Sequence, residues 1–285
     1  MAKLADAKDL KSFSAQAECG FKSRPGHQGK NAQLAPHLPN GHDSPYDAIA
    51  GLYHRHWDNW YVPQAAPALE RLFFPHIRPA ARVLDLCCGS GHMTRELVSR
   101  GYRVTGIDNS AALLEYARRE VPQARFVHSD ARDFRLEEKF EGALSTFDSM
   151  NHLLSLEDLA SAFLSVHAAL EPAAPFVFDM NTAEAYRLDW KQWTAEVGED
   201  SVSLVQGRFD PATRCVETEV IWFLRMANGF WERRRSVVPQ RCYEDEEVRA
   251  ALAAASFRSV TRCTAMEAGV TGEIGYGRVF FSAVA

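Results

Sequence analysis

The fold is decided by the stretch from residue 83 to residue 94, which reads Val83-Leu84-Asp85-Leu86-Cys87-Cys88-Gly89-Ser90-Gly91-His92-Met93-Thr94. A short apolar strand leads into a glycine turn and then into the start of a helix. Gly89 and Gly91 allow the backbone to turn tightly and to approach a ligand closely. The helix N-terminus adds free N–H donors and a partial positive charge, so the stretch predicts a ligand site at this turn.

Two further carboxylates stand at the ends of the next two predicted strands. Asp108 ends the second strand, where a carboxylate can accept hydrogen bonds from both hydroxyls of a ribose. Asp130 ends the third strand and is placed to accept a hydrogen bond from an adenine amino group. The glycine turn, Asp108 and Asp130 thus provide ligand-binding groups at three successive strand ends, which rarely happens by chance. Together they predict a site for a nucleoside cofactor.

Strand and helix patterns alternate around this turn. We predict strands over residues 81–87, 102–108, 124–128, 142–147 and 175–179, with helices over 92–100 and 110–121. A further helix begins after Ser155, with Asp158 completing a capping-box pattern. Alternation of this kind predicts right-handed βαβ units around a parallel sheet, which is an α/β fold.

The residues after 179 break the alternation. Residues 202–209, 215–225 and 230–243 have the pattern of three antiparallel strands, with turns at Asp210-Pro211 and Asn228-Gly229. We expect an inserted β-meander over about 200–243 that covers the cofactor site as a lid or mediates contacts in a homodimer. A helix over 245–255 and closing strands over 258–265 and 277–284 complete a domain predicted to span 44–285.

The chain changes character near residue 44. Residues 1–43 are rich in Lys, Ala, Ser, Gln, Gly, Pro and His and have no periodic pattern of large apolar residues. Such a segment cannot bury enough surface to offset its ordering entropy, so we expect a flexible N-terminal tail. From residue 45 onwards, spacings of three and four place Tyr46, Ile49, Tyr53 and Trp57 on one face of a helix.

Composition and charge argue against several classes of protein. The 285 residues include 32 Lys and Arg against 37 Asp and Glu, so the net charge of −5 gives no electrostatic footprint for nucleic acid. No apolar run is long enough to span a bilayer, and the N-terminus lacks the apolar core of a signal peptide. The 6 cysteines form no C-x-x-C pair, and the 10 histidines all lie at or before His167. We therefore expect no metal site, no disulfide framework and a reduced, cytoplasmic compartment.

The glycine turn also separates two classes of cofactor. A dinucleotide fingerprint requires a third glycine at the position of Thr94. The stretch resembles instead motif I of the class I, Rossmann-like S-adenosylmethionine (SAM) methyltransferases, with Asp85 in the acidic place and Cys87 in place of the first glycine. Residues 106–110, 129–131 and 145–151 resemble three later motifs of that family. An N-terminal helix pattern of the small-molecule members is matched by Tyr46, Asp47, Ala50 and Tyr53.

The resemblance implies a doubly wound, mostly parallel seven-stranded sheet with an antiparallel last strand, and it implies SAM as cofactor. It also implies a set of cofactor-binding residues: Tyr53, Asp85, Cys87, Gly89, Gly91, Asp108, Asn109, Asp130, Ala131 and Phe147. In these roles the two glycines contact the methionine half of SAM. Asp108 holds the ribose hydroxyls, Asn109 lies beside the adenine, and Asp130 and Ala131 bind the adenine ring. Phe147 contributes backbone near the sulfonium. The stripe of Tyr46, Tyr53 and Trp57 lies beside the glycine turn, so we also expect Tyr53 or Trp57 to face the sulfonium, with plain packing as the alternative.

The acceptor side of the site is less well defined. His152 and Asp148 are the candidate catalytic residues, because an imidazole or a carboxylate at that place can take a proton from an acceptor. The alternatives are a histidine bonded to backbone and a carboxylate that closes a turn, and alignment without any base is sufficient for methyl transfer. Candidate substrate residues are Trp57, Asn151, Asp179, Arg241 and Tyr243. For Trp57 the alternative is plain packing, and for Arg241 it is a solvated basic patch.

These observations predict a SAM-dependent methyltransferase that acts on an N or O nucleophile of a small-molecule acceptor. The alternatives are a nucleic-acid or protein methyltransferase and, in a different class, a SAM-binding regulator without catalysis. The acidic pI of about 6.1 disfavours nucleic acid. So does the sequence Phe147-Asp148-Ser149, because the amino-base enzymes carry a Pro-Pro-aromatic segment there. Neither nucleic acid nor a membrane is expected as a partner, and a homodimer is left open.

Overall fold

The structure, a computed structural model, describes residues 44–188 and 192–285. Its strands are β1 (Arg82–Leu86), β2 (Arg103–Asp108), β3 (Arg125–His128), β4 (Gly142–Ser145), β5 (Pro175–Asn181), β6 (Thr194–Val197), β7 (Ser201–Asp210), β8 (Cys215–Arg225), β9 (Trp231–Arg241), β10 (Arg258–Thr264) and β11 (Arg278–Val284). The central sheet has seven strands in the order β10-β11-β5-β4-β1-β2-β3. Its neighbours are parallel except β11, which is antiparallel to both β5 and β10. The predicted α/β, Rossmann-like sheet with an antiparallel last strand is confirmed.

The helices of the described residues surround this sheet. They are α1 (Ala50–Leu52), α2 (Asp58–Leu72), α3 (His92–Ser99), α4 (Ala111–Glu120), α5 (Leu156–Ala169), α6 (Ala183–Leu188) and α7 (Asp245–Ala254). Ser110 caps α4 and Ser155 caps α5, as predicted. The carboxylate of Asp158, expected to complete a capping box, accepts a hydrogen bond from Arg132 at 3.1 Å. Over residues 44–188 and 192–285, no helix combines the length and the apolar character needed to cross a bilayer.

Both faces of the central sheet are packed, which is what a doubly wound fold requires. Leu84, Phe176 and Phe178 point to one face and join a core that includes α5 and α7. Val83 and Val177, their neighbours in sequence, point to the other face and pack with α2 and α3. Since β5 is buried along its whole length, it is an interior strand with apolar contacts on both sides.

The meander forms a second, antiparallel sheet with the strand order β6-β7-β8-β9. Asn228 and Gly229 lie in the hairpin that joins β8 to β9, as the sequence predicts. The structure differs from the prediction at both ends. A fourth strand, β6, begins at Thr194, and β9 ends at Arg241 instead of residue 243. Because β6 is only four residues long and mostly exposed, its sequence gave too weak a signal to predict a strand.

Residues 44–57, here called the N-terminal segment, lie between the two sheets. A 3₁₀ turn (Asp47–Ile49) leads through α1 into a π-helical turn (Tyr53–Trp57). Asp47 Oδ1 accepts hydrogen bonds from Ser110 Oγ at 2.6 Å and Ala112 N at 3.1 Å, which ties the segment to the start of α4. Its apolar residues pack against β8 and β9 of the meander. The prediction of a flexible tail over residues 1–43 lies outside the described residues.

Candidate active site

The glycine turn (residues 87–91) has the strained geometry that its sequence indicates. Gly89 and Gly91 have φ values of +57° and +87°, in the left-handed region where side chains are disfavoured. A Cβ atom on Gly89 would lie 3.1 Å from Cε1 of Tyr53, so the Tyr53 ring lies directly over the turn. Ser90 Oγ is 3.0 Å from His54 Nδ1, which makes a second link between the turn and the N-terminal segment.

The two carboxylates at the first strand ends hold the turn in place. Asp85 is buried in β1, and its Oδ2 accepts a hydrogen bond from Thr94 Oγ1 at 2.5 Å. Thr94 therefore joins α3 to β1 at the position where a dinucleotide fold would have its third glycine. Asp108 accepts hydrogen bonds from Gly89 N at 2.9 Å and Ser110 N at 2.8 Å, so it fixes the turn as well as facing the site.

The adenine end of the predicted site is formed around Asp130. Its carboxylate accepts hydrogen bonds from the backbone and the guanidinium of Arg132, which hold the pKa of Asp130 below its ordinary value. Ala131 is buried beside it, and the carbonyl of Asn109 accepts a hydrogen bond from His128 Nε2 at 3.0 Å. Sequence reasoning missed Arg132, although a basic residue two positions after an acidic one is a visible signal.

The charges around Cys87 fit a positively charged cofactor. Burial raises the pKa of the Cys87 thiol well above its ordinary value, and Asp108, Asp130 and Asp85 raise it further in that order. The negative charges of all three carboxylates therefore act on the region around the thiol. A cationic sulfonium is stabilised by such a negative potential, and carboxylates accept hydrogen bonds from ribose hydroxyls and an adenine amino group. The residues present thus fit SAM.

Aromatic rings enclose the same region. Tyr53 lies at centroid distances of 5.3 Å from Tyr46 and 6.0 Å from Phe147. Tyr61 stacks on Phe147 at 4.4 Å. Burial raises the pKa of Tyr46 well above its ordinary value, and the charges of Asp148 and Asp108 add to the rise. Trp57 contacts Tyr53 at 6.2 Å but packs mainly with the meander.

His152 is held by hydrogen bonds on both ring nitrogens. Nδ1 lies 3.1 Å from the carbonyl oxygen of Pro239, which can only accept, so Nδ1 carries the proton of the neutral ring. Nε2 then accepts a hydrogen bond from the Tyr46 hydroxyl at 3.0 Å. Burial lowers the pKa of His152, and nearby Asp148 only partly opposes that effect. The histidine is therefore neutral at pH 7, with its lone pair directed at Tyr46.

Asp148 and Asp179, at the ends of β4 and β5, share one buried arginine. Arg278 Nη2 donates to Asp148 Oδ1 at 2.8 Å, and Nη1 donates to Asp179. Gln240, from the end of β9, donates from Nε2 to Asp148 Oδ2 at 2.6 Å. Burial raises the pKa of Asp179, and the Arg278 guanidinium opposes that rise. Two carboxylates with one guanidinium leave a single net negative charge in this part of the site.

Like Asp179, three further predicted substrate residues have protein partners for their polar groups. Asn151 is fully buried and bonds to the backbone of Asn181 and Arg241. The Tyr243 hydroxyl donates to the carbonyl oxygens of Leu153 and Ser155, and Arg241 donates to that of Leu154 at 3.2 Å. These side chains support the loop after Asp148, and their contact with an acceptor stays a prediction.

Sequence reasoning did not identify four residues that complete the constellation: Tyr46 as the partner of His152, and Tyr61, Gln240 and Arg278 around the carboxylates. The sequence places Tyr46 on an apolar helix face and in the N-terminal helix pattern, and neither predicts a role for its hydroxyl. Gln240 begins a Gln-Arg-x-Tyr pattern, of which only the later residues were singled out. Arg278 had no local signal, because its partners lie far away in the sequence.

Comparison with known proteins finds similarity to methyltransferases. Residues 83–173 match the family described as a methyltransferase domain. The putative methyltransferase YqeM of Bacillus subtilis is 29% identical over 147 residues, which are 50% of this chain and 55% of that protein. A dTDP-3-amino-3,6-dideoxy-alpha-D-glucopyranose N,N-dimethyltransferase of Streptomyces fradiae is 34% identical over 146 residues, 48% of this chain and 57% of that protein. The chain thus spans about half the length of these relatives.

Solved structures share the fold over a greater length. A SAM-dependent methyltransferase from Clostridium acetobutylicum superposes with a TM-score of 0.62 at 19% identity, over 85% of this chain and 99% of that one. At this identity the likeness shows the fold. Residues 83–173 thus match a methyltransferase domain, and the described residues have the fold of SAM-dependent methyltransferases, so the resemblance predicted from the sequence is confirmed.

Proposed function

We propose that the protein transfers the methyl group of SAM to an amine nitrogen of a small molecule. The observation that carries the proposal is the neutral His152, hydrogen-bonded through Nε2 to the Tyr46 hydroxyl beside the glycine turn. The Streptomyces fradiae relative, by its name, methylates the amine of a nucleotide-linked aminodeoxy sugar. An amine acceptor therefore agrees with both the local chemistry and the named relative.

The cofactor half of the site positions one reactant. When bound, SAM supplies a methyl carbon activated by a sulfonium leaving group, so the protein must align the nucleophile and exclude water. Asp108 and Asp130 would hold the ribose and adenine, and the glycine turn would give the methionine half close access to the backbone. The Tyr53 ring lies over Gly89, so it covers the turn and would face the cation of the bound cofactor.

The acceptor half favours an amine over a hydroxyl. The net negative charge of Asp148, Asp179 and Arg278 stabilises an acceptor that enters as an ammonium ion. The Tyr46 hydroxyl can pass the ammonium proton to His152 Nε2 while His152 Nδ1–H donates to Pro239. An imidazole whose pKa is lowered by burial is too weak a base to deprotonate an alcohol, because efficient transfer needs a base matched to the acid.

A matched pair of acceptors tests this proposal. The protein is incubated with SAM and either dTDP-3-amino-3,6-dideoxy-alpha-D-glucopyranose or its 3-hydroxy analogue, and also with a pool of metabolites that contain amines. Mass spectrometry should find a one-methyl gain on an amine and an equal amount of S-adenosylhomocysteine. Methylation of hydroxyl compounds alone would replace the amine assignment with O-methylation. No methyl gain in any mixture, with SAM bound, would favour a regulator.

A further inference from the structure

The backbone at the end of β4 is strained at two consecutive residues. Phe147 has a φ of +64° and Asp148 a φ of +47°, although neither is a glycine. Residues with side chains persist in this region only when the surrounding structure holds them there. Other residues must therefore hold the Phe147–Asp148 backbone in this conformation.

Asp179 supplies the first part of that restraint. Its Oδ1 accepts a hydrogen bond from Phe147 N at 2.7 Å, and its Oδ2 accepts one from Asp148 N at 3.0 Å. Two successive N–H groups that point the same way form a small anion-binding cradle, and here a side-chain carboxylate from β5 occupies it. Tyr61 also donates to Oδ1, at 2.8 Å, which fixes the orientation of the carboxylate.

Arg278 supplies the second part. Its guanidinium donates to both Asp179 and Asp148. Arg278 therefore links Asp148, which is part of the turn, to Asp179, whose carboxylate binds the backbone of the turn. Arg278 is 5% exposed and Asp179 is fully buried, so water does not compete for these bonds. The antiparallel register that places Arg278 opposite Asn181 brings the guanidinium to this point.

We propose that Asp179 and Arg278 are positioning residues that hold the Phe147–Asp148 turn in its left-handed conformation, so that Asp148 meets Gln240 and the methyl acceptor in the productive geometry. The proposal rests on the proposed function for its catalytic consequence, whereas the restraint on the backbone is independent of it. Asp179, predicted from the sequence to bind substrate, acts on this view through Phe147 and Asp148.

Amide hydrogen exchange tests the restraint without any turnover. In Asp179→Asn one acceptor oxygen becomes a donor, so at least one of the Phe147 and Asp148 amides should exchange ten-fold faster or more. The Cys88 amide, which donates to the Ile107 carbonyl at 2.9 Å, should keep its rate. Asp200→Asn is the matched control, since it makes the same change at an exposed carboxylate. Unchanged protection at Phe147 and Asp148 would overturn the proposal.

Kinetics then test the consequence. Asp179→Asn and Arg278→Lys should lower kcat about 100-fold or more, with KM for the acceptor and affinity for S-adenosylhomocysteine changed less than about three-fold. Tyr61→Phe keeps the ring and loses only one hydrogen bond, so its loss in kcat should be smaller. If Asp179→Asn does not fold, Arg278→Lys and Tyr61→Phe give the same readouts. A rise in KM for the acceptor with kcat retained would overturn the positioning role. If the wild-type protein shows no turnover but the Phe147 and Asp148 amides exchange faster in Asp179→Asn as predicted, only the proposed function is contradicted.

Discussion

Cys87 occupies a backbone conformation that suits glycine. Its φ is +57°, and its partly buried thiol packs against the core below the glycine turn. A side chain in the left-handed region costs roughly 1 kcal/mol. Cys87→Gly should therefore raise the free energy of unfolding by up to about 1 kcal/mol, because the relief of strain exceeds the small loss of packing.

Urea unfolding of two matched variants checks this expectation. Cys263 lies in β10 with ordinary strand geometry and is also partly buried. Cys263→Gly should lower the free energy of unfolding by about 1 kcal/mol, since glycine weakens a strand and removes a packed side chain. Opposite signs for the two variants support strain at Cys87. A loss of stability in both would show that packing dominates there.

Asp108 should dominate the affinity for the cofactor. A charge-assisted hydrogen bond contributes about 1.5–3 kcal/mol, so Asp108→Ala should weaken SAM binding by about ten-fold or more. Because this carboxylate also anchors Gly89 and Ser110, the variant should lose thermal stability as well. Calorimetry with S-adenosylhomocysteine measures the affinity, with Asp200→Asn as a surface control. Equal affinity in the wild-type protein and Asp108→Ala would contradict the assignment.

The pH dependence of turnover should report His152. In the proposed mechanism its neutral form is the base. Burial lowers its pKa below the ordinary value of 6.5, so turnover should fall only as the pH drops below that lowered pKa. His152→Ala should lower turnover at pH 7 by about 100-fold and remove this acidic limb, with SAM affinity nearly unchanged. Tyr46→Phe keeps the ring and removes the hydroxyl that bonds to Nε2. Wild-type turnover in both variants would leave alignment alone as the source of catalysis.

The positions of the candidate cofactor residues were predictable because their signals are local. Gly89, Asp108 and Asp130 stand at strand ends that apolar runs define, and parallel strands bring those ends to one edge. Arg278 and Gln240 could not be predicted in the same way. Arg278 reaches Asp148 only through the register of β11 on β5, and Gln240 does so only through the packing of the meander, which is a property of tertiary structure.

At the scale of elements, the meander does more than cover the site, because it bonds directly to two of the candidate catalytic residues. The end of β9 bonds to Asp148 through Gln240 and to His152 through Pro239. Its inner face covers the N-terminal segment, whose start is tied to it by a hydrogen bond from Ser236 Oγ to the carbonyl of Pro45 at 2.7 Å. Alternation of apolar residues revealed β7 to β9, whereas β6 depends on pairing with β7.

At Gly51, α1 lies close to both the meander and α4. A Cβ atom there would lie 3.0 Å from Cη2 of Trp222 and 3.2 Å from the hydroxyl oxygen of Tyr116. Alanine favours a helix over glycine by about 1 kcal/mol, but overpacking against a buried indole costs about 1–3 kcal/mol. Gly51→Ala should therefore lower the free energy of unfolding and, by displacing nearby Tyr53, weaken SAM binding.

The double variant Gly51→Ala, Trp222→Phe separates these effects. The smaller ring gives the new methyl group room, so the double variant should be more stable than the sum of the two single changes predicts. Urea unfolding gives the coupling energy, and calorimetry shows whether S-adenosylhomocysteine affinity recovers with it. A stabilised Gly51→Ala protein would mean that helix propensity outweighs the contact.

At the scale of the whole molecule, the site is assembled from three parts of the chain. The central sheet provides the glycine turn and the carboxylates, the N-terminal segment provides Tyr46 and Tyr53, and the meander provides Gln240. The family match over residues 83–173 covers only the first part. The cofactor class was therefore predictable from sequence, whereas we expect the choice of acceptor to depend also on residues outside this match, such as Tyr46 and Gln240.

Assembly of the site from residue 44 onwards predicts that residues 1–43 are dispensable for folding and for cofactor binding. The carbonyl of Ser44 accepts a hydrogen bond from Asp47 N at 3.0 Å, and that of Pro45 accepts one from the meander, so the start of the N-terminal segment is fixed within the domain. A chain that begins at Ser44 should keep its melting temperature and bind S-adenosylhomocysteine within about three-fold of the full chain.

A chain that begins at Gly51 is the matched control. It lacks Tyr46 and Asp47, which bond to His152 and to the start of α4, so it should lose both stability and affinity. Equal losses in the two shortened chains would show that residues 1–43 are part of the folded domain.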